Sequence, residues 1–199
     1  EKWLYESTST EADPLKLFDD RFKEFAFHKK IKEGTPSIKS ESRLERRRLG
    51  SNNCRYFVPC PKCGKYQALH FGFEDDEYGV RWDKTPNGKS DLTLAKQSAY
   101  YHCQEGCKLR HVDRAPMMRN GVWVPDGCEV DPDGAKEAVE EWKSDKSEIL
   151  WKGWQEAHWI KGEPLRPGNV YGSQLSSLYA LSLSWDEIAH QFLQCKPRQ

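Results

Sequence analysis

Apolar residues recur with a helical period near both ends of the 199-residue chain and with a strand-like period between them. Leu15, Phe18, Phe22 and Phe25 follow one another at three- and four-residue spacing. Asp13-Pro14 precedes them as N-cap and first helical residue, so the pattern predicts a helix over 14–28 with one apolar face. Near the other end, Ser184-Trp185-Asp186-Glu187 forms a capping box. Trp185, Ile188, Ala189, Phe192 and Leu193 continue its stripe and predict a buried-face helix over 185–193.

From 54 to 124 the pattern shortens toward alternation. Residues 54–60 (CRYFVPC), 66–73 (YQALHFGF), 79–82 (GVRW), 98–103 (SAYYHC) and 120–125 (NGVWVP) are rich in aromatic and β-branched residues and predict strands. Residues 126–134 (DGCEVDPDG) read as a turn cluster, with Asp131 and Asp133 as turn residues. A helix is predicted over 135–143, and 144–172, with Trp151, Trp154 and Trp159 among Pro and Gly, as irregular. Residues 1–12 and 33–40 read as loops, and 40–48 (SESRLERRR) as a charged helix that Ser51-Asn52-Asn53 ends. The fold class predicted is α+β, a small β-rich unit flanked by helices.

Composition narrows the possibilities. Eight Trp, eight Tyr and eight Phe exclude a disordered charged tail. No run of about 18 apolar residues exists, so no transmembrane helix is predicted. The first residues, EKWLYESTSTEADP, hold no apolar stretch of a signal peptide and no initiating Met, which points to a segment of a longer chain. Lys plus Arg balances Asp plus Glu at 31 each, yet residues 29–48 hold eight Lys/Arg against three Glu. Within that run Lys39, Arg43, Arg46 and Arg47 fall near one helical face and are candidate phosphate contacts; a solvated charged face is the plainer alternative.

Seven cysteines are an odd number for a disulfide framework. Four form two close pairs, Cys60-Pro-Lys-Cys63 and Cys103-Gln-Glu-Gly-Cys107. Two such knuckles on neighbouring strands supply the four thiolates of a structural zinc site. Gly64 permits the positive φ that follows the second ligand of the first pair. The 39 residues between the pairs imply an inserted hairpin. His102 and His111 flank the second pair and are alternative ligands, whereas Cys54, Cys128 and Cys195 read as core thiols.

Residues 83–90 (DKTPNGKS) end like a phosphate-binding loop, but Asp83 stands where the first Gly is needed and the following DLTLAKQ is short for the required helix, so 83–90 reads as a loop between strands. No nucleophile elbow, HExxH motif or paired acidic cluster is present, and no catalytic constellation assembles.

The order ADPLKLFDDRFKEF, EGTPSIKSESRLERR, CRYFVPCPKCGKYQAL, YYHCQEGC, Gly121-Val122-Trp123 and LSSLYALSLSWDEIAHQFLQCK resembles the phage terminase large subunit of the GpA (lambda-like) type, over about residues 11–196. The resemblance implies part of a larger α/β ATPase–nuclease that packages viral double-stranded DNA in the bacterial host cytoplasm. Its partners would be a small terminase subunit and a procapsid portal, with ATP and Mg bound in the full-length protein. Gly34, Thr35, Pro36 and Ser37 would match the ATPase coupling motif. Residues 1–50 would be the end of the ATPase-like domain, 51–134 a zinc-binding insertion, and 135–199 a segment leading toward the nuclease. The Walker motifs and nuclease carboxylates are absent from this stretch, and "TPSIKS" and the longer second knuckle depart from the family pattern, as in a fragment or a prophage-derived copy. A stand-alone zinc-ribbon module binding nucleic acid or protein is the alternative function.

Overall fold

The computed structural model describes residues 17, 19–35, 42–72, 76–145, 157–168 and 170–195, without the side chains of 138 and 141–145. Asp13, Pro14, Leu15, Phe18, Pro36, Ser37, Lys39, Trp151 and Trp154 therefore lie outside the described residues. Two compact units divide between Gly50 and Ser51.

In the first unit the predicted 14–28 helix does not persist. Residues 17, 19 and 20 are helical, and 21–24 are turns. The bond from Arg21 N–H to the Leu17 carbonyl gives way to three-residue bonds at Phe22, Lys23 and Phe25. Helices in proteins draw most of their stability from a packed face. Here Phe25 is 61% and Phe27 98% exposed. Asp19 organises the unit instead, meeting Lys32 at 2.7 Å, Arg47 at 3.4 Å and Lys30 at 3.6 Å. The Lys32 hydrogen bond, opposed by burial and reinforced by the other cations, holds its carboxyl below the usual range. Helix α1 (Arg43–Leu49) starts at Ser42, whose Oγ accepts from Glu45 N–H, and ends with Arg46, Arg47 and Arg48 beside its C-terminal carbonyls.

The second unit holds three small antiparallel sheets. Strands β1 (Arg55–Pro59), β2 (Tyr66–Ala68) and β6 (Val122–Val124) form one in the order β2-β1-β6. Strands β3 (Gly79–Arg81), β4 (Tyr100–His102) and β5 (Lys108–Leu109) form the second. Strands β7 (Cys128–Val130) and β8 (Ile160–Gly162) form the third. The first sheet pairs Val58 with Gln67 and Tyr56 with Trp123. Tyr56 and Val58 enter the core while Phe57 is half-buried, the alternation that the sequence predicted. Gly121 is required by this packing, because a Cβ there would come within 2.4 Å of the Tyr56 ring.

The strand predicted over 66–73 stops at Ala68. The next ladder position would pair Tyr56 with Leu69, and the Tyr179 hydroxyl occupies it. That hydroxyl accepts from Leu69 N–H and donates to the Tyr56 carbonyl, each at 2.7 Å. A side chain thus satisfies both backbone groups where the partner strand leaves.

Two helices correct the sequence reading. Helix α2 (Leu92–Ser98), formed by the stretch after the expected 83–90 loop that read as short for a helix, is capped by Asp91, whose carboxylate accepts Leu94 N–H at 2.9 Å. Helix α3 (His111–Arg119) buries Met117 and Arg114 despite Pro116 in its middle. The expected turn cluster 126–134 contains β7 and the start of α4 (Pro132–Asp145). Thr85 and Lys89 close a turn in the loop that mimics a phosphate-binding motif.

Helix α5 (Trp185–Cys195) begins at the predicted cap, with Ser184 Oγ accepting from Glu187 N–H at 3.3 Å. It lies on α2, β3 and β4. Trp185 is 1% exposed, donates to the Leu178 carbonyl at 3.2 Å and sits beside Tyr101. Phe192 packs on Phe71, with ring centroids 4.6 Å apart. The Arg114 guanidinium donates to the Leu183 carbonyl at 2.5 Å and lies over Trp185.

Two stability measurements test this packing. Trp185→Ala should lower the unfolding free energy by about 3–5 kcal/mol in urea titration; a loss under about 1 kcal/mol would contradict a core role. Tyr179→Phe should cost about 1–3 kcal/mol through the orphaned Leu69 N–H, and an unchanged midpoint would show that water replaces the hydroxyl without loss.

Candidate metal centre

Each thiol pair sits on a knuckle whose backbone amides point at sulfur. In the first, Gly64 N–H closes on the Cys60 carbonyl at 2.8 Å, and Cys60 N–H on that of Lys65 at 2.8 Å. Gly64 adopts φ +79°, as the expected turn requires. The Cys60 sulfur receives amides from Cys63 and Lys62, and the Cys63 sulfur that of Lys65. In the second, Glu105 and Cys107 N–H both donate to Cys103 Sγ at 3.3 Å. Amides aimed at sulfur favour the ionised thiolate that a metal needs.

The first pair lies in the turn between β1 and β2 and the second in the turn between β4 and β5; the fold brings the pairs together. All four sulfurs lie within 4.8 Å of one another, and Cys63 Sγ is 3.8 Å from Cys103 Sγ. A disulfide would need about 2.05 Å. Four thiolates at about 2.3 Å around a tetrahedral ion stand about 3.8 Å apart, so the donor set and its spacing fit such an ion. The group is enclosed, with Cys60 and Cys103 buried and Cys63 and Cys107 half-buried.

Cys60, Cys63 and Cys107 sit in different electrostatic surroundings. Burial pushes the Cys60 thiol up despite its amide bonds. Burial, then neighbouring Cys103 and Cys63, push Cys107 up to about 11. Burial also acts on Cys63, but the Lys65 amide and the adjacent thiols outweigh it and hold this thiol below its ordinary value.

His102 is not in the group; its Nδ1 lies 3.2 Å from the Glu77 carbonyl. His111 opens α3 as an exposed residue, also outside the group. Cys54 and Cys128 are buried, but Cys195 is exposed at the end of α5, against the expectation of a core thiol. The sequence reading passed over ties between the knuckles. The Lys62 ammonium donates to the Lys108 carbonyl, and Lys65 meets Glu105 at 3.7 Å. The Lys65–Glu105 pair left opposite charges beside the two knuckles as its trace in the sequence, and the Lys62 bond to a backbone carbonyl left none. A hollow of about 300 Å³ beside Gly64 is also lined by Lys65, Lys136 and Glu105, but its lysines already pair with Glu105 and Asp133.

Of the other expected site residues, Gly34 and Thr35 lie in irregular backbone, while Arg43, Arg46 and Arg47 lie on α1. Arg46 and Arg47 are exposed and Arg43 is half-buried. Because α1 begins after Ser42, Lys39 precedes that helix.

A family profile described as "Phage terminase large subunit gpA, ATPase domain" matches residues 3–123. The chain belongs to the phage terminase large subunit gpA family. The matched span of this terminase segment crosses Gly50 and includes both thiol pairs. The "Terminase, large subunit" of Escherichia phage lambda is 30% identical over 194 residues, covering 94% of the chain and 25% of the relative. That of Enterobacteria phage P21 is 30% identical over 125 residues, covering 59% of the chain and 18% of the relative. The chain spans about a quarter or less of the length of these curated relatives. No solved structure matches.

Cobalt titration of the terminase segment should saturate at about one ion per chain and develop the absorption of a tetrahedral thiolate complex. Cys107→Ala should lose that spectrum, because no histidine joins the group; retention would overturn the four-sulfur assignment. Affinity should fall as pH falls, because protons compete with the metal for the four sulfurs.

Proposed function

We propose that the chain is a segment of the large subunit of an ATP-driven viral DNA-packaging motor, and that its own contribution is to grip duplex DNA by the phosphates. The match to the gpA ATPase domain over residues 3–123 carries this reading. In it, residues 1–50 end the ATPase-like domain, 51–134 form the metal-stapled unit and 135–199 lead toward a nuclease domain. ATP and Mg, endonuclease activity, the small terminase subunit, the procapsid portal and the bacterial cytoplasm belong to the full-length protein of this proposal. The ion at Cys60, Cys63, Cys103 and Cys107 is zinc, which suits an enclosed four-thiolate set, and its role is structural.

The grip is assigned to the basic run. A motor that moves along any sequence must hold the backbone rather than read bases, and Lys and Arg do so through phosphate. Gly34, Thr35, Pro36 and Ser37 are the coupling loop. Two observations support a link between loop and grip. Gly34 lies against α1, where a Cβ would come within 2.9 Å of Leu44 Cδ1. Asp19 joins Lys32, two residues before Gly34, to Arg47 on α1. Movement of the loop would thus displace the helix that carries Arg43, Arg46 and Arg47, with Lys39 between loop and helix.

Salt dependence tests the grip. The chain should bind duplex DNA without sequence preference, with log K falling against log salt by about 0.9 per phosphate neutralised. Joint replacement of Arg43, Arg46 and Arg47 by Ala should weaken binding and flatten that slope. Unchanged affinity and slope would leave the run as a solvated face and remove the proposal.

A further inference from the structure

The second knuckle accounts for nearly all of its amides internally. Cys103 N–H goes to the Cys107 carbonyl at 3.0 Å, and Gly106 N–H to the Cys103 carbonyl at 2.9 Å. Glu105 and Cys107 N–H go to Cys103 Sγ. The Gln104 amide alone leaves the loop: it donates at 3.1 Å to the side-chain oxygen of Gln67, in the middle of β2. Gln67 is 0% exposed, and its Nε2 has no hydrogen-bond partner among the described residues. A methionine would fill this site without an orphaned amide. What Gln67 adds over an apolar residue is its acceptor oxygen.

We infer that Gln67 is a positioning residue for the metal centre, setting the second thiol pair against the first; the inference rests on the metal reading of the four cysteines. Three residues separate Cys103 from Cys107, against two between Cys60 and Cys63. The longer loop has more conformations to lose when it closes on an ion. Gln67 fixes the peptide that directly follows Cys103, so the sulfur is aimed before the ion arrives. The other cross-knuckle ties, Lys62 to the Lys108 carbonyl and Lys65 to Glu105, are made by lysines at the surface, where water competes for them. Gln67 does the same from inside the sheet.

Groups that orient metal ligands from outside the coordination sphere typically change affinity 10–100-fold when removed. The test uses the full 199-residue chain, with zinc affinity from competition against a chromophoric chelator and cobalt absorption as the geometric probe. Gln67→Met should bind zinc 10–100-fold more weakly and shift the cobalt bands, with the far-ultraviolet circular dichroism of the metal-loaded chain unchanged. Gln67→Glu retains an acceptor for Gln104 N–H and should restore the wild-type cobalt bands. Wild-type affinity and bands in Gln67→Met would overturn the inference, leaving Gln67 as packing alone. If the Met variant does not fold, the Glu variant decides: restored bands support the role, and displaced bands overturn it. A wild-type chain that binds neither zinc nor cobalt would instead sink the metal reading itself.

Discussion

Four sulfur atoms converge at the junction of two small sheets, and the second unit is built around that convergence. The sheets on either side have strands of two to five residues. Strands this short bury little apolar surface, and small β units of this kind are commonly stapled by metal or disulfide. The cysteines are themselves part of the core: Cys60 and Cys103 pack with Val58, Tyr101 and Leu109. The knuckle amides aimed at sulfur make the same point from the backbone side, since a neutral thiol is a weak acceptor and a thiolate a strong one.

Packing then spreads outward from this point. Tyr101, beside Cys103 in the same cluster, is overlaid by Trp185 of α5. Trp185 in turn lies under the Arg114 guanidinium, whose charge burial disfavours and Asp186 partly restores. The second cluster, with Tyr66, Val122, Val124, Val139 and Trp159, grows from the far side of the first sheet. Residues distant in sequence from the cysteines thus share a core with them. The part of the family pattern around α5 and the part around the thiol pairs describe one packed body.

The parts of this fold that were legible in the sequence are those with a local cause. The capping box at Ser184–Glu187, the apolar stripe behind it and the basic helix before Gly50 each follow from residues within a few positions. The thiol pairs were legible because ligand spacing is itself a local signal. Elements fixed from a distance were not. Helix α3 has no continuous apolar face, and two of its buried residues, Arg114 and Met117, are separated by a proline. Strand β2 ends because of Tyr179, over 100 positions away. The aromatic stripe at 18–25 gave the opposite error: periodicity alone predicts a helix, but it does not supply the surface that such a face must bury against. At the site, the four cysteines that the fold brings together were readable as two pairs while the Gln67 contact was not, because a single glutamine in an alternating strand carries no sign of what its oxygen meets.

The segment between the thiol pairs has a consequence for how the gene can change. It leaves Cys63 and returns to Cys103 after 39 residues, carrying β2, β3, a turn, α2 and the return strand β4. Closing a loop becomes only slowly more expensive with length, about 0.6 kcal/mol per doubling. Structural zinc binding in small domains is worth about 10–16 kcal/mol. Length at the Thr85–Lys89 tip would therefore be almost unconstrained by an ion that closed the loop. Related genes should differ there by insertions and deletions more than around either knuckle, and a peptide tag spliced into that tip should leave the rest of the unit intact.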